Sequence, residues 1–215
     1  MRVVVADPPA FTPPYDHALA AALARAEVDV ELVTSHFRFG DAPQPDGYRR
    51  RELFYPLSSR LFRRSRLRLP LKVLEHPVGL ARLARLPADV VHVQWIAAPE
   101  IDGMLLRHKA PLVFTAHDLL PRRTASKRAL WQRLFARFER VVVHTERGRD
   151  ALAAFGVAEN KLRVIPHPVF PGLMERRDDG STVLALGVVR PYKQLDHARE
   201  AVSRVDGARL RVAGD

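Results

Sequence analysis

The sequence predicts an α/β protein with a Rossmann-like parallel β-sheet and helices on both faces. Two observations lead to this fold class. Short runs rich in valine and leucine alternate with longer stretches in which apolar residues recur at helical spacing. The alternation also has the pitch of β-α-β units, in which parallel strands are buried beneath helices on both faces.

The elements follow from this alternation. Strands are predicted at 2–6, 28–33, 89–94, 111–115, 140–144 and 162–165, and helices at 16–26, 71–86, 98–107, 126–138 and 146–155. Asp16 is predicted to cap the first helix, and Gly156 to end the last one. Residues 36–70 are predicted to be irregular, and a basic cluster lies towards their end.

A domain boundary is predicted after the last of these strands. Residues 168–181 contain two prolines, two glycines and a charged run, a composition typical of a surface linker. We therefore predict a first domain over residues 1–170 and a linker over residues 171–181. Residues 182–215 then form one β-α-β unit that begins a second, incomplete Rossmann-like domain.

Composition restricts the class of protein. The chain has no cysteine, which excludes a disulfide framework, a thiolate metal site and a cysteine nucleophile. No apolar run approaches the ~20 residues of a membrane-spanning helix. The N-terminal apolar run is too short for a secretory signal. We expect a cytoplasmic protein, with a peripheral position on the inner membrane face as an option.

The net charge of +11 is unevenly distributed. Nine basic residues and one acid lie between Arg49 and Lys72. Within this cluster Arg60, Arg63, Arg64 and Arg66 are mixed with leucine and phenylalanine, a pattern that fits contact with an anionic membrane or an acceptor. The alternative is an arginine-rich solvated loop. No nucleic-acid partner is expected, because the interleaved aromatics that stack on single strands are missing.

The loop after the strand at 182–186 carries the clearest binding pattern. Gly187 allows close backbone approach, and Arg190 and Lys193 add two cations before the next helix. Ligands of open parallel sheets bind at the carboxyl ends of strands, and helix N-termini favour anions. The loop could therefore hold a diphosphate, although solvated surface cations remain an alternative on this evidence. No dinucleotide or P-loop glycine motif is present.

The residues from 187 onward, Gly-Val-Val-Arg-Pro-Tyr-Lys and the helix and strand that follow, resemble the start of the donor domain of family 4 glycosyltransferases. Three earlier segments agree in order and spacing. They are residues 89–95 (DVVHVQW), residues 114–118 (FTAHD) and residues 161–168 (KLRVIPHP). The resemblance covers most of the chain from residue 89.

This resemblance implies a GT-B fold, in which two Rossmann-like domains bind the acceptor and the nucleotide-sugar. It also implies transfer with retention of configuration and no bound metal. Lys193 matches the lysine that contacts the diphosphate, and Arg190 would supply the second cation because Val188 stands where many members have arginine. His117 would contact the transferred sugar or the reacting centre and is the catalytic candidate. Fixed cations of this kind stabilise the departing diphosphate.

We therefore expect a glycosyltransferase that moves a sugar from a nucleotide-sugar to a glycan or lipid-linked acceptor, without a cofactor or metal. The family's later acidic motif is absent, so the 215 residues are expected to be inactive alone. The alternative is a non-catalytic Rossmann-like module whose arginine-rich loop engages membrane or nucleic acid. His144 and His167 lack metal-ligand spacing, and His92 is expected to be a satisfied sheet residue.

Overall fold

A computed structural model describes residues 1–61, 66–120, 124, 126–169 and 178–214. The chain divides into two compact units, Met1–Val169 and Phe170–Asp215. Most of the predicted linker, including residues 171–177, lies outside the described residues.

The first unit is built on a parallel sheet. Its strands are β1 Arg2–Asp7, β2 Asp29–Thr34, β3 Arg49–Glu52, β4 Val90–Val93, β5 Leu112–Thr115, β6 Arg140–Val143 and β7 Leu162–Val164. The spatial order is β3-β2-β1-β4-β5-β6-β7, and every neighbouring pair is parallel. The chain order reverses direction at β1 and β4, so their carboxyl ends flank the switch point where such sheets bind ligands.

Helices cover both faces of this sheet. They are α1 Pro13–Arg25, α2 Arg68–Leu83, α3 Pro99–Leu105, α4 Arg128–Arg137 and α5 Glu146–Phe155. Val3 and Val5 of β1 pack with Ala20 of α1, whereas Val4 joins the cluster that contains Leu80 of α2. Alternate residues of a strand point to opposite faces, so both faces are buried. The predicted fold class is confirmed.

The prediction of irregular structure over residues 36–70 was wrong at β3. Arg49–Glu52 forms a strand parallel to β2 at the edge of the sheet. Its side chains are held by charge rather than apolar burial. Arg49 Nη2 lies 2.8 Å from Asp29 Oδ1, and Arg51 Nη2 lies 2.6 Å from Oε1 of the buried Glu31. A charged edge strand carries no apolar alternation, which is why the pattern did not predict it.

Two predicted helix starts were also displaced. The first helix begins at Pro13, so Asp16 lies buried inside its first turn and is not the cap. The second helix begins at Arg68 rather than residue 71. The predicted helix 146–155 is confirmed, because Thr145 Oγ1 accepts from the Gly148 amide at 3.0 Å and Gly156 adopts φ +107° after the last turn.

The second unit contains β8 Thr182–Leu186, α6 Leu195–Ser203 and β9 Arg209–Ala213. The two strands pair in parallel, as a β-α-β connection requires. A short 3₁₀ turn, Pro191–Lys193, leads from the loop after β8 into α6. Both strands have the predicted bounds.

Candidate functional site

Aromatic and polar side chains gather at the carboxyl edge of the first unit's sheet. Trp95 follows β4, His117 follows β5, His144 follows β6 and His167 follows β7. Tyr15, from the first turn of α1, packs against all three of these histidine rings. The parallel strands thus bring together residues that are far apart in sequence.

His117 stands at the centre of this cluster. Its ring stacks on Trp95, with ring centroids 4.9 Å apart and an angle of 14° between the planes. Tyr15 meets it edge-on at 4.6 Å. On the strand side, His117 Nε2 lies 3.1 Å from the Oε1 atom of the buried Gln94. The ring orientation is therefore fixed from three directions.

His144 and His167 extend the cluster beyond the predicted site. His144 Nε2 lies 3.4 Å from His117 Nδ1, and the rings of His144 and His167 are 5.1 Å apart. Sequence spacing did not identify either residue as a neighbour of His117. The available signal was positional, since each follows a predicted strand of a parallel sheet and carboxyl ends share one edge.

Hydrogen bonds hold the two central rings of this cluster. His144 Nδ1 lies 2.9 Å from the Ile165 carbonyl and so donates to it. His117 Nε2 donates to Gln94 Oε1, and the buried amide nitrogen of Gln94 has no partner among the described residues. The 3.4 Å separation of His144 Nε2 and His117 Nδ1 is longer than an ordinary hydrogen bond, so His117 Nδ1 can still accept from a ligand.

Burial keeps the His117 ring neutral. Desolvation, aided by the neighbouring His144, His167 and His92, lowers the pKa of His117 to about 4. His117 is therefore neutral at neutral pH. A neutral imidazole with a fixed ring can exchange hydrogen bonds with sugar hydroxyl groups, which are themselves both donors and acceptors.

His92 lies beneath this edge and is satisfied within the sheet, as expected. Its Nε2 atom lies 2.8 Å from Thr115 Oγ1 on the neighbouring strand β5. Burial lowers the pKa of His92 to about 4, so it is uncharged at neutral pH.

The second unit holds the predicted phosphate-binding residues. Lys193 lies in the 3₁₀ turn before α6, and its Nζ atom lies 3.2 Å from the Leu186 carbonyl at the end of β8. Gly187 has φ +103°, and a Cβ placed there would lie 3.0 Å from the Lys193 amine. Arg190 is exposed at the N-cap of the same turn and forms no ion pair within the described part of the chain.

The predicted membrane or acceptor residues are only partly described. Arg63 and Arg64 lie outside the described residues. Arg60 is exposed and lies 3.4 Å from Glu52, an ion pair of little energetic value at a surface. Arg66 is exposed. The role assigned to these four residues stays a prediction.

The described residues contain neither a metal-binding cluster nor a membrane-spanning helix. Within residues 1–61, 66–120, 124, 126–169 and 178–214, no group of three or more histidine, aspartate or glutamate side chains could hold a metal ion. Among the same residues, no helix is both long and apolar enough to cross a membrane.

The two Rossmann-like units define a protein of the GT-B class. The profile for Glycosyltransferase Family 4 matches residues 15–171. This match covers well over half of the chain, which therefore belongs to glycosyltransferase family 4. None of the curated proteins compared with the chain matches it.

Solved structures share the fold at low sequence identity. HepE from Anabaena, in complex with UDP and glucose, aligns with a TM-score of 0.59 at 14% identity, over 100% of this chain and 61% of its own. Sucrose-phosphate synthase from Thermosynechococcus elongatus aligns with a TM-score of 0.63 at 17% identity, over 99% of this chain and 62% of its own. A third match is a putative UDP-N-acetylglucosamine 2-epimerase from Listeria monocytogenes, with a TM-score of 0.59 at 14% identity, over 98% and 62%. The chain thus spans about three fifths of the length of these proteins.

Proposed function

We propose that this chain provides the acceptor-side domain and the diphosphate-binding loop of a glycosyltransferase that uses a nucleotide-sugar. Membership of glycosyltransferase family 4 supports glycosyl transfer. HepE, which shares the fold, has been solved in complexes with UDP and UDP-glucose, and this supports a uridine nucleotide as the donor carrier. The acceptor, a glycan or a lipid-linked molecule, is part of the proposal.

The position of the Lys193 amine carries the donor part of this proposal. The amine lies at the carboxyl end of β8, folded back over Gly187, where a side chain on residue 187 would crowd it. A cation placed at this end of a parallel strand, next to the turn into a helix, is well placed to bind a diphosphate. Arg190 would add a second cation from the other end of the same turn.

The chemistry proposed for this loop is electrostatic. Breaking the glycosidic bond leaves negative charge on the departing diphosphate, and preorganised cations stabilise that charge in the transition state. We propose that Lys193 and Arg190 do this without a metal ion, and that the sugar is transferred with retention. A donor affinity that is unchanged by EDTA, and an unchanged anomeric configuration in the product, are the expected results.

Thermal-shift measurements with a panel of nucleotide-sugars test the donor assignment. We expect UDP and UDP-sugars to raise the melting temperature of the chain, and Lys193→Ala to weaken their binding about ten- to a hundredfold, as for loss of a charge-assisted hydrogen bond. Lys109→Ala is the matched control, because Lys109 is exposed and belongs to the first unit. Equal binding by the two variants would contradict the assignment of Lys193.

His117 is proposed to contact the transferred sugar. The neutral, fixed ring suits hydrogen bonding to sugar hydroxyls better than binding of phosphate, which favours cations. We expect His117→Ala to reduce the affinity for UDP-glucose to that for UDP, and to leave the affinity for UDP unchanged. His108→Ala is the control, since His108 is hydrogen-bonded to the Leu86 carbonyl elsewhere in the unit. An unaltered preference for UDP-glucose in His117→Ala would remove this role.

Two further expectations belong to the same proposal. The 215 residues are expected to bind donor without transferring its sugar, and transfer by the purified chain would overturn this. The alternative, a non-catalytic module that engages membrane or nucleic acid, predicts that Lys193→Ala leaves ligand binding intact. It also predicts a salt-dependent loss of binding on substitution of Arg63 and Arg64.

A further inference from the structure

A cavity of about 240 Å³ lies at the carboxyl edge of the first unit's sheet. Its wall is formed by the segments that follow β1, β2 and β3 and by the first two turns of α2. The side chains that give it its character are Arg38, Ser59, Arg68 and Lys72. Of the predicted site residues that the structure describes, none lines it.

Positive charge dominates this cavity. Arg38, Arg68 and Lys72 line it, and among the described residues no aspartate or glutamate does. The nearby acids contact other groups, among them His36 and Ser58, which also line the cavity. Glu52 lies 3.3 Å from His36 and 3.4 Å from Arg60. Glu75 accepts hydrogen bonds from the Leu57 and Ser58 amides and from the Ser58 hydroxyl.

Lys72 is a partly buried member of these three cations. Its Nζ atom lies 4.6 Å from the centre of the Tyr55 ring, and it forms no ion pair with any described residue. Burial lowers the pKa of Lys72, and the charges of Arg68 and Arg38 lower it further. Three like charges around one cavity repel each other, and a bound anion would remove that cost.

Ser59 belongs to the wall of the cavity. The residue is only 7% exposed, and its buried Oγ atom has no hydrogen-bond partner among the described residues. A buried hydroxyl is normally satisfied, because leaving it without a partner costs about 1–3 kcal/mol. A small rotation of this side chain on ligand binding would let the hydroxyl donate to an acceptor oxygen in the cavity.

The floor of the cavity is held rigidly. Tyr55 lines it, and the Tyr55 hydroxyl lies 2.7 Å from His76 Nδ1. His76 Nε2 lies 2.7 Å from Asp102 Oδ1, and all three residues are buried. The Tyr55 ring that contacts Lys72 is thus fixed in place, and a preorganised wall reduces the entropy lost when a ligand binds.

We propose that this cavity binds a phosphate group carried by the acceptor, an inference that rests on the proposed function for the identity of the acceptor. A phosphate carries up to two negative charges and three acceptor oxygens, which matches three cations and a serine hydroxyl better than a carboxylate does. The volume lies below the 300–1,000 Å³ of sites for drug-sized ligands. The cavity therefore suits the phosphorylated end of the acceptor better than a whole nucleotide-sugar.

The test measures inorganic phosphate binding by calorimetry to the 215-residue chain carrying Lys193→Ala and Arg190→Gln, so that the cations of the donor loop do not contribute. In this background Lys72→Met and Arg68→Gln are each expected to weaken phosphate binding about tenfold or more. Ser59→Ala is expected to weaken it several-fold without loss of thermal stability. Arg82→Gln is the control, because Arg82 is an exposed cation on the same helix α2 outside the cavity.

Two further ligands distinguish the source of the phosphate. Glucose 6-phosphate represents a soluble acceptor, and phosphatidylcholine vesicles containing phosphatidic acid represent a lipid acceptor. Binding of either that is lost in Lys72→Met and kept in Arg82→Gln supports the proposal and names the source. The proposal is overturned if phosphate does not bind saturably, or if the cavity variants bind like Arg82→Gln. If the cavity proposal fails while UDP-glucose still binds the unmodified chain through Lys193, the proposed function is unaffected.

Discussion

Asp7 and Asp16 form a buried acidic pair at the end of β1 and the start of α1. Both residues are almost fully enclosed, and no cation among the described residues forms an ion pair with either. Burial raises the pKa of Asp16 well above its usual range, and the charge on Asp7 raises it further. Burial raises the pKa of Asp7 as well. At least one of the two carboxyl groups is therefore protonated in conditions where an exposed aspartate is ionised.

This pair predicts a defined dependence of stability on pH. At about pH 3 and below, Asp16 is largely protonated in both folded and unfolded chains, and the pair costs little. As the pH rises, the unfolded chain ionises first, so the free energy of unfolding falls until the raised folded pKa is passed. Asp16→Asn removes this loss. We expect the variant to match the wild type near about pH 3 and to exceed its stability by about 1–3 kcal/mol at pH 7.

Urea unfolding between about pH 3 and pH 8 measures this difference. Asp41→Asn is the control, because Asp41 is exposed. The lowered pKa of His117 makes both proteins lose stability as the pH falls below about 6.5. That effect cancels in the difference between variant and wild type. An Asp16→Asn chain that is less stable than wild type at pH 7 would show that the ionised pair is required.

The histidine cluster shows what a sequence can reveal about single residues. His117 could be selected because it follows a predicted strand and lies in a motif that resembles a known family. Its contacts with Trp95 and Gln94 were not predicted. They depend on the register between β4 and β5, since Val93 of β4 pairs with Phe114 of β5. No pattern within either segment specifies that register.

Between elements, a buried polar chain joins three parts of the first unit. Asp102 of α3 accepts from the Ala98 amide at 2.8 Å and lies 2.7 Å from His76 of α2. His76 in turn meets the hydroxyl of Tyr55, which follows β3. Burial and the charge of Asp102 raise the pKa of Tyr55, so its hydroxyl remains protonated and can donate to His76. Every member of this chain thus has a hydrogen-bond partner.

Removal of Asp102 is expected to destabilise the first unit strongly. Asp102→Ala leaves His76 and the Ala98 amide without their acceptor in a buried setting, at a cost of about 3 kcal/mol. Glu100→Gln on the same helix is the control, because Glu100 is exposed and pairs with Lys127, so its loss costs less than about 1 kcal/mol. Denaturant unfolding compares the two. Equal losses in the two variants would mean that the chain contributes no more than a surface pair.

The bounds of the strands and helices show where prediction from the sequence succeeds and where it fails. β8 and β9 were predicted with their observed bounds because Thr182–Leu186 and Arg209–Ala213 are separated by one clear helical stretch. β3 was missed because its four residues are all charged and are held by ion pairs to β2. Helix starts were misplaced where proline precedes the apolar pattern, as at Pro13. Apolar periodicity detects burial, and these segments are positioned by other forces.

For the whole molecule, the fold and the family are shown, whereas the reaction rests on particular residues. The same architecture occurs in a sucrose-phosphate synthase and in a putative UDP-N-acetylglucosamine 2-epimerase. These proteins are named for different reactions, so the shared fold does not determine the chemistry. Lys193 on the second unit, and His117 and Lys72 on the first, are the residues on which the proposed activity depends.

The chain contains only five lysines, which makes one measurement especially direct. Labelling with ¹⁵N-lysine gives one backbone amide signal each for Lys72, Lys109, Lys127, Lys161 and Lys193. Single lysine-to-arginine variants assign these signals. Titration with UDP then reports which lysine the nucleotide approaches.

The account predicts that UDP shifts the Lys193 signal and leaves those of Lys109, Lys127 and Lys161 in place. Lys193 lies in the turn proposed to bind the diphosphate, where its amide donates to the Arg190 carbonyl. A Lys193 signal that does not move while UDP binds would contradict the central claim that this loop holds the departing diphosphate.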